Sequence, residues 1–176
     1  SHRLDELVGE LLTLSRLESA ANSNEKDHFD INGLVNAVAD DARFEAQSQN
    51  RQVVFNGTHE QLMHGNMELL RRAVENVVRN AIYYTPENTD VIISIEGNNN
   101  YITLTVRDSG NGVAEDKLSD LFQPFVRISE SAQNITTPGY GLGLAIAKRA
   151  VEIHKGSIKA YNHASGGLCI EIQLPV

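Results

Sequence analysis

Two adjoining segments, DVIISIEG and YITLTVRDSG, alternate apolar and polar residues, and only Asn98, Asn99 and Asn100 lie between them. A period of two turns one set of side chains to one face of a strand and the rest to the other. Two such strands joined by a short polar turn read as an antiparallel hairpin. A sheet built this way buries a single face, so the rest of the chain has to supply helices that cover it.

Those helices are legible. DINGLVNAVADDARFEAQSQN begins with Asp30 as N-cap and places Ile31, Leu34, Val35, Val38 and Phe44 on roughly one face. Asn66 caps a long helix that runs to about Tyr84, with Leu70, Ala73, Val74, Val77, Val78 and Ala81 as its buried face. A third helix follows GYGLG and is expected to close at Gly156 as C-cap, and a short helix is expected at 115–121. RQVVFNG and QLMHG read as strands, and SIKAYNHASGGLCIEIQLPV as a final hairpin turning at 165–167. The expected class is α+β: a two-layer sandwich, one mixed sheet of about five strands packed on three helices and open on its other face.

RLDELVGELLTLSRLESA spaces Leu4, Leu7, Val8, Leu11, Leu12 and Leu14 as an amphipathic helix. The polar ANSNEKDH then reads as a linker, which divides the chain into a helix at 1–23 and a compact unit at 24–176. The Ser/Thr/Asn-rich stretch 129–137 offers little to a core and reads as a mobile loop.

With 176 residues, 41% of them hydrophobic, the chain can bury a core as one domain with a small appendage. Its net charge of −8, with no Lys/Arg run, argues against nucleic acid or an anionic membrane as partner. No run of about 18 apolar residues occurs, so the stretch is expected to be soluble as it stands. The single cysteine, Cys169, excludes an internal disulfide and reads as a small strand side chain. The histidines, His64 and His154 among them, are scattered without metal-ligand spacing and read as surface or structural groups.

Three constellations can carry chemistry. Asn76, Asn80 and Tyr84, at i, i+4 and i+8, form a row along one edge of the long helix. A lone asparagine there would be a surface or capping residue, but two in register continued by a tyrosine point to a cleft. In VRDSGNGV, period two carries Asp108 to the core side of its strand, where a carboxylate is costly unless something donates to it. Gly110 and Gly112 would let backbone come close to a flat ligand, although an ordinary turn needs the same residues. In PGYGLGLAIAK, glycines lead straight into a helix N-terminus, whose free N–H groups favour phosphate. The Lys-Ser/Thr of a P-loop and the βαβ unit of a dinucleotide fold are both missing.

In this order, with LFQPFVR between the second and third, the three resemble the N, G1, F and G2 boxes of the sensor histidine kinase ATP-binding domain, within the superfamily shared with gyrase, Hsp90 and MutL. The likeness covers nearly the whole chain and looks strongest to Cpx-type envelope-stress kinases. Residues 1–20 resemble the second helix of that family's dimerisation domain. The resemblance implies ATP and Mg²⁺ as cofactors, with Asn80 ligating the metal and Asn76 assisting. It implies that Tyr84 lies against adenine, that Asp108 accepts the exocyclic amino group, and that Gly110, Gly112 and Val113 shape the purine slot. Phe122 and Phe125 would anchor a lid, Arg127 would reach the γ-phosphate, and Gly139, Gly141, Leu142 and Gly143 would surround the phosphates. Asn80 and Arg127 are the implied catalytic pair. The implied partners are the protein's own dimerisation and phosphoacceptor helices, a response regulator receiver domain and a second copy in a full-length homodimer, with the domain on the cytoplasmic side of an inner-membrane sensor.

Departures from the family pattern stand beside it. Tyr83 occupies a position usually held by Lys or Arg, Pro138 and Tyr140 replace a commoner Gly and Thr, and no string like HExRTP occurs in these residues. An ATPase of the gyrase or MutL kind, or an anti-sigma serine kinase, would carry a Glu one turn before the metal-binding Asn to act as general base. Asn76 stands there, and Glu75 is about 100° away round the helix. A nucleotide-sensing module without catalysis is the third reading, kept open by Tyr83.

Overall fold

The computed structural model describes residues 2–21, 26–125 and 141–176. In chain order the elements are α1 (His2–Ala21), β1 (Asp27–Asp30), α2 (Ile31–Gln47), β2 (Gln52–Asn56), β3 (Leu62–Gly65), α3 (Met67–Tyr84), β4 (Asp90–Gly97), β5 (Tyr101–Arg107), a 3-10 helix (Glu115–Phe122), α4 (Gly143–Ile153), β6 (Ser157–Asn162) and β7 (Leu168–Pro175). The main sheet has the order β2-β4-β5-β7-β6. β2 runs parallel to β4 and every other pairing is antiparallel, so the sheet is mixed, as expected.

The β4–β5 hairpin that anchors this reading is made by its turn. Asn98 Oδ1 accepts from the Asn100 and Tyr101 amides at 2.7 and 2.8 Å, the local side-chain bonding that suits Asn to turns. Val91, Ile93, Ile95, Ile102, Leu104 and Val106 then face inward with Ile170, Ile172 and Leu174 of β7, all buried against α3 and α4. Each such side chain contributes about 1.5–3 kcal/mol when fully removed from water. Ser94, Thr103, Thr105, Glu171 and Gln173 take the other face, which stays open. Cys169 lies on that side too, buried beside Tyr161, and burial pushes its thiol up, away from reactivity.

Four local expectations are corrected. The end of the supposed linker is a strand: Asp27–Asp30 pairs antiparallel with β3, so QLMHG belongs to a separate two-stranded sheet rather than to the main one. Four mostly polar residues carry no readable period, and the pairing is held instead by Asp30. Its Oδ1 accepts from the Gln61 amide at 2.9 Å while also capping α2 through Asn32 at 3.1 Å. Phe44 is 83% exposed, because it lies two positions beyond Ala42, about 200° round the helix. The buried stripe of α2 continues through Ala39, Ala42 and Ala46 instead. At the end of α4 the cap is His154, and Lys155 takes the left-handed turn at φ 60°. Gly156 is required for another reason: a Cβ there would collide with the Gln173 carbonyl.

Helix α1 has two apolar rows. Leu17 is fully buried and Leu7 and Leu14 pack on the core, while Glu18 forms a two-pronged ion pair with Arg149 of α4 at 2.7 and 3.2 Å. Leu4, Val8, Leu11 and Leu12 face outward. The expected boundary at residue 24 lies outside the described residues.

Candidate functional site

Helix α3 is set by its cap. Asn66 Oδ1 accepts from the Leu69 amide at 3.2 Å, and from that start the apolar positions turn inward as the sequence period requires. Asn76 and Asn80 consequently sit half-buried along the edge, Tyr84 is more open at 39% exposed, and Arg79 points to solvent. Tyr83 and Tyr84 meet edge to face, ring centroids 4.9 Å apart.

Helix α4 lies along α3 and brings its N-terminus to this row. A Cβ built on Gly143 would stand 3.8 Å from the Asn76 amide, in ordinary contact. Leu142, the cap residue, is buried, and its side chain makes no capping hydrogen bond to the first amides of α4. Gly141 just before it has φ 76°, a conformation that glycine adopts without strain. Its carbonyl accepts from the Phe125 amide at 3.0 Å, which joins the residues bordering 126–140.

The second constellation sits beyond the other end of α3. Asp108 is 2% exposed, and its Oδ1 accepts from the Gly110 and Leu168 amides at 2.8 and 3.1 Å. Burial pushes this carboxyl above its ordinary range, a shift that the two amides and neighbouring Arg107 oppose. Gly110 is wedged between α3 and the acid: a Cβ would stand 2.8 Å from the Tyr84 carbonyl and 3.2 Å from Asp108 Oδ1. Gly112 has φ 75°, and Val113 packs half-buried against the core. Phe122 is buried in the core, whereas Phe125, the last residue described before 126–140, is 59% exposed. Arg127 and Gly139 lie outside the described residues, as do the stretch 129–137, Pro138 and Tyr140.

Two residues that sequence reasoning missed hold this site together. Thr85, 1% exposed, accepts from the Ser109 amide at 3.0 Å through its hydroxyl, shares a 2.8 Å hydrogen bond with Thr89, and has its carbonyl held by Arg51 at 2.7 Å. Asn162, at the end of β6, bonds both main-chain groups of Val113. Each is a single polar residue whose partner is distant in sequence, and no spacing rule marks it.

Among the described residues no three His, Cys, Asp or Glu side chains come together as a metal site. His28 and His64 do stack across β1 and β3, centroids 4.6 Å apart, but as a pair only. His154 is structural, as read: its Nδ1–H donates to the Ala150 carbonyl at 2.7 Å and its Nε2 accepts from the Asn66 amide at 2.9 Å. No described helix is long and apolar enough to cross a membrane.

Comparison with known proteins gives a consistent set. The family described as histidine kinase-, DNA gyrase B-, and HSP90-like ATPase matches residues 65–176. The sensor-like histidine kinase SenX3 of Mycolicibacterium smegmatis is 33% identical over 99% of this chain and 45% of its own length. The sensor histidine kinase CpxA of Escherichia coli K12 is 34% identical over 100% of this chain and 38% of its own. The chain therefore spans less than half of either relative. Among solved structures, a mycobacterial sensor histidine kinase, MprB, is similar with TM-score 0.74 at 26% identity, over 85% of this chain and 97% of that one. Full-length ShkA in complex with AMPPNP is similar with TM-score 0.79 at 26% identity, over 96% of this chain and 35% of that one.

Proposed function

Because the chain belongs to the histidine kinase-, DNA gyrase B- and HSP90-like ATPase family, we propose that residues 24–176 are the ATP-binding catalytic unit of a two-component sensor histidine kinase. Residues 1–23 are then part of the helix pair that carries the phosphoacceptor histidine. The observation that carries this reading is the arrangement around α3. One end of its asparagine row meets the start of α4, whose cap residue Leu142 gives no side-chain bond, through Asn76 and Gly143, while the other meets a buried carboxylate through Tyr84, Gly110 and Asp108. Phosphates belong at the first end and a purine at the second.

The donor set fits Mg²⁺ brought in with a nucleotide. Amide oxygens are hard ligands, and with no acidic cluster among the described residues the ion would be held by Asn80, phosphate oxygens and water. When bound, Mg²⁺ supplies charge neutralisation on the phosphates. The chain's own part is positioning. Asn76 and the first amides of α4 orient the phosphates, and Asp108 accepts the adenine amino group while Tyr84, Gly112 and Val113 bound the ring. Arg127 is assigned the γ-phosphate by resemblance alone. The acceptor is an imidazole, which is nucleophilic when neutral and needs no general base. Asn76 in place of a glutamate supports this choice over water or a hydroxyl as acceptor. The partners that follow are the phosphoacceptor helices, a receiver domain and a second copy, with this part of the protein on the cytoplasmic side of the membrane.

Calorimetric titration with ATP and GTP, each with and without Mg²⁺, tests the binding half. Tight Mg²⁺-dependent binding of ATP over GTP is expected, and no binding sinks the reading. Incubation with γ-labelled ATP and a separate helix hairpin bearing the acceptor histidine tests the transfer half. Acid-labile label on the hairpin is expected, whereas rapid phosphate release without acceptor points to an ATPase and no turnover to a nucleotide sensor.

A further inference from the structure

The segment 108–113 makes a sharp excursion between β5 and the 3-10 helix, and it is held at both ends by one hairpin. At its start, the Asp108 amide donates to the Leu168 carbonyl at 3.0 Å, and the Leu168 amide donates to Asp108 Oδ1 at 3.1 Å. At its finish, the Val113 amide donates to Asn162 Oδ1 at 2.9 Å, and Asn162 Nδ2 donates to the Val113 carbonyl at 2.6 Å. Leu168 and Asn162 are themselves register partners, the last pair of β6 and β7 before their turn. The span from the acid to Val113 is thus bridged by a single rung of sheet.

Asn162 does with a side chain what a strand does with backbone. One planar amide both accepts and donates, so it can pair with both main-chain groups of Val113 at once. Its Nδ2 also donates to Glu115 Oε1 at 3.2 Å, tying in the first turn of the 3-10 helix. Gly112 makes the approach feasible: at φ 75° its backbone curls over Asn162, and a Cβ there would collide with Asn162 Oδ1. Aspartate would keep the acceptor, lose the donor and turn a charge toward the Val113 carbonyl and the Glu115 carboxylate.

We propose that Asn162 is a positioning residue for base recognition: it holds Gly112 and Val113 at a fixed distance from Asp108 and so sets the width of the purine slot. This rests on the assignment of 108–113 to the purine and goes beyond it, since Asn162 lies on another strand and acts on the site through Gly112 and Val113.

The test compares wild type, Asn162→Ala and Asn162→Asp. Calorimetry measures the affinity of each for Mg-ATP and Mg-GTP, thermal unfolding measures Tm, and amide hydrogen exchange is followed at Val113. Losing this pairing should weaken ATP about tenfold, with little change for GTP, so that the preference for adenine narrows. Asn162→Asp should weaken ATP at least as much as Asn162→Ala. Val113 should exchange faster in both variants, and Tm should fall by only a few degrees, because the residue ends an edge strand. Unchanged ATP affinity in Asn162→Ala overturns the proposal, as does an equal loss for both nucleotides with a Tm lowered by more than that, which marks ordinary structural damage. A wild type that does not prefer ATP removes the purine assignment itself, and the role of Asn162 falls with it; that failure is recognised in the wild-type titration alone.

Discussion

Gly143, the first residue of α4, faces the Asn76 amide of α3, and a methyl built on it would stand 3.8 Å from that amide. Among the described residues such a methyl would meet nothing closer than ordinary van der Waals contact. Gly143→Ala should leave the fold intact and even stabilise it, since alanine is favoured over glycine in a helix by about 1 kcal/mol. The same methyl would stand where the proposed reading puts the phosphate oxygens, so affinity for Mg-ATP should drop about tenfold or more. Paired thermal melts and titrations check this, and a variant that binds ATP as well as the wild type would place the phosphates elsewhere.

Asp108→Asn should separate stability from binding in the same sense. An amide oxygen at this position can still accept from the Gly110 and Leu168 amides. The cost of burying a charge, which pushes the native carboxyl up, disappears. Tm should rise by a few degrees at neutral pH, where about 1 kcal/mol moves a domain of this size by roughly 2–4 °C. Affinity for ATP should fall, because the amide can present an N–H toward the adenine amino group; a mismatched buried hydrogen bond costs about 1–3 kcal/mol.

Thr85→Val keeps the shape and removes the hydroxyl that accepts from the Ser109 amide. A loss of about 1–3 kcal/mol in denaturant-measured stability is expected, with weakened nucleotide binding because the turn toward Asp108 loosens. Thr85→Ser should restore most of both. If valine changes neither quantity, the hydroxyl is dispensable.

His154 gives the fold a pH dependence. Burial is the main cause that lowers its pKa from 6.5, and its Nε2 is committed as an acceptor from the Asn66 amide. Native protein thus prefers the neutral ring, and the unfolded chain takes up the proton first. The contribution is complete above about pH 6.5 and shrinks as pH falls toward the native pKa. Urea denaturation at pH 7.5 and pH 5.5 should show a loss of stability in the wild type that His154→Gln largely lacks. Parallel pH profiles would assign the effect to other groups.

What could be read in advance was whatever obeys a period or a local cap. Ile102, Leu104, Val106 and Asp108 follow one alternation to the same side, and Asn66 and Asp30 cap the helices they precede. Asn76, Asn80 and Tyr84 fall on one edge because 3.6 residues per turn puts them there. Misreadings arose where tertiary partners decide. Phe44 is expected on the inner face with Ile31, Leu34, Val35 and Val38 and is exposed, because the alanines of α2 supply the close-packed stripe. Asp27–Asp30 is a strand only because β3 pairs with it, and Gly156 is small because of Gln173 rather than to end a helix. Thr85 and Asn162 were invisible for the same reason.

The parallel pairing of β2 with β4 carries a consequence for how the chain assembles. β2 is complete at Asn56, yet its one neighbour in the sheet begins at Asp90, after β3 and the whole of α3. A chain emerging from the ribosome therefore holds an unpartnered strand while residues 57–89 are being made. Non-local pairing of this kind is slow to form and leaves a hydrogen-bonding edge open to wrong partners. The early docking of α2 on α3, which needs only the N-terminal half of the chain, can shelter Val53 on the inner side of β2 while the outer residues Gln52 and Val54 remain in water. Translation rate and chaperone supply, rather than the strength of the finished core, would then govern the yield of folded protein.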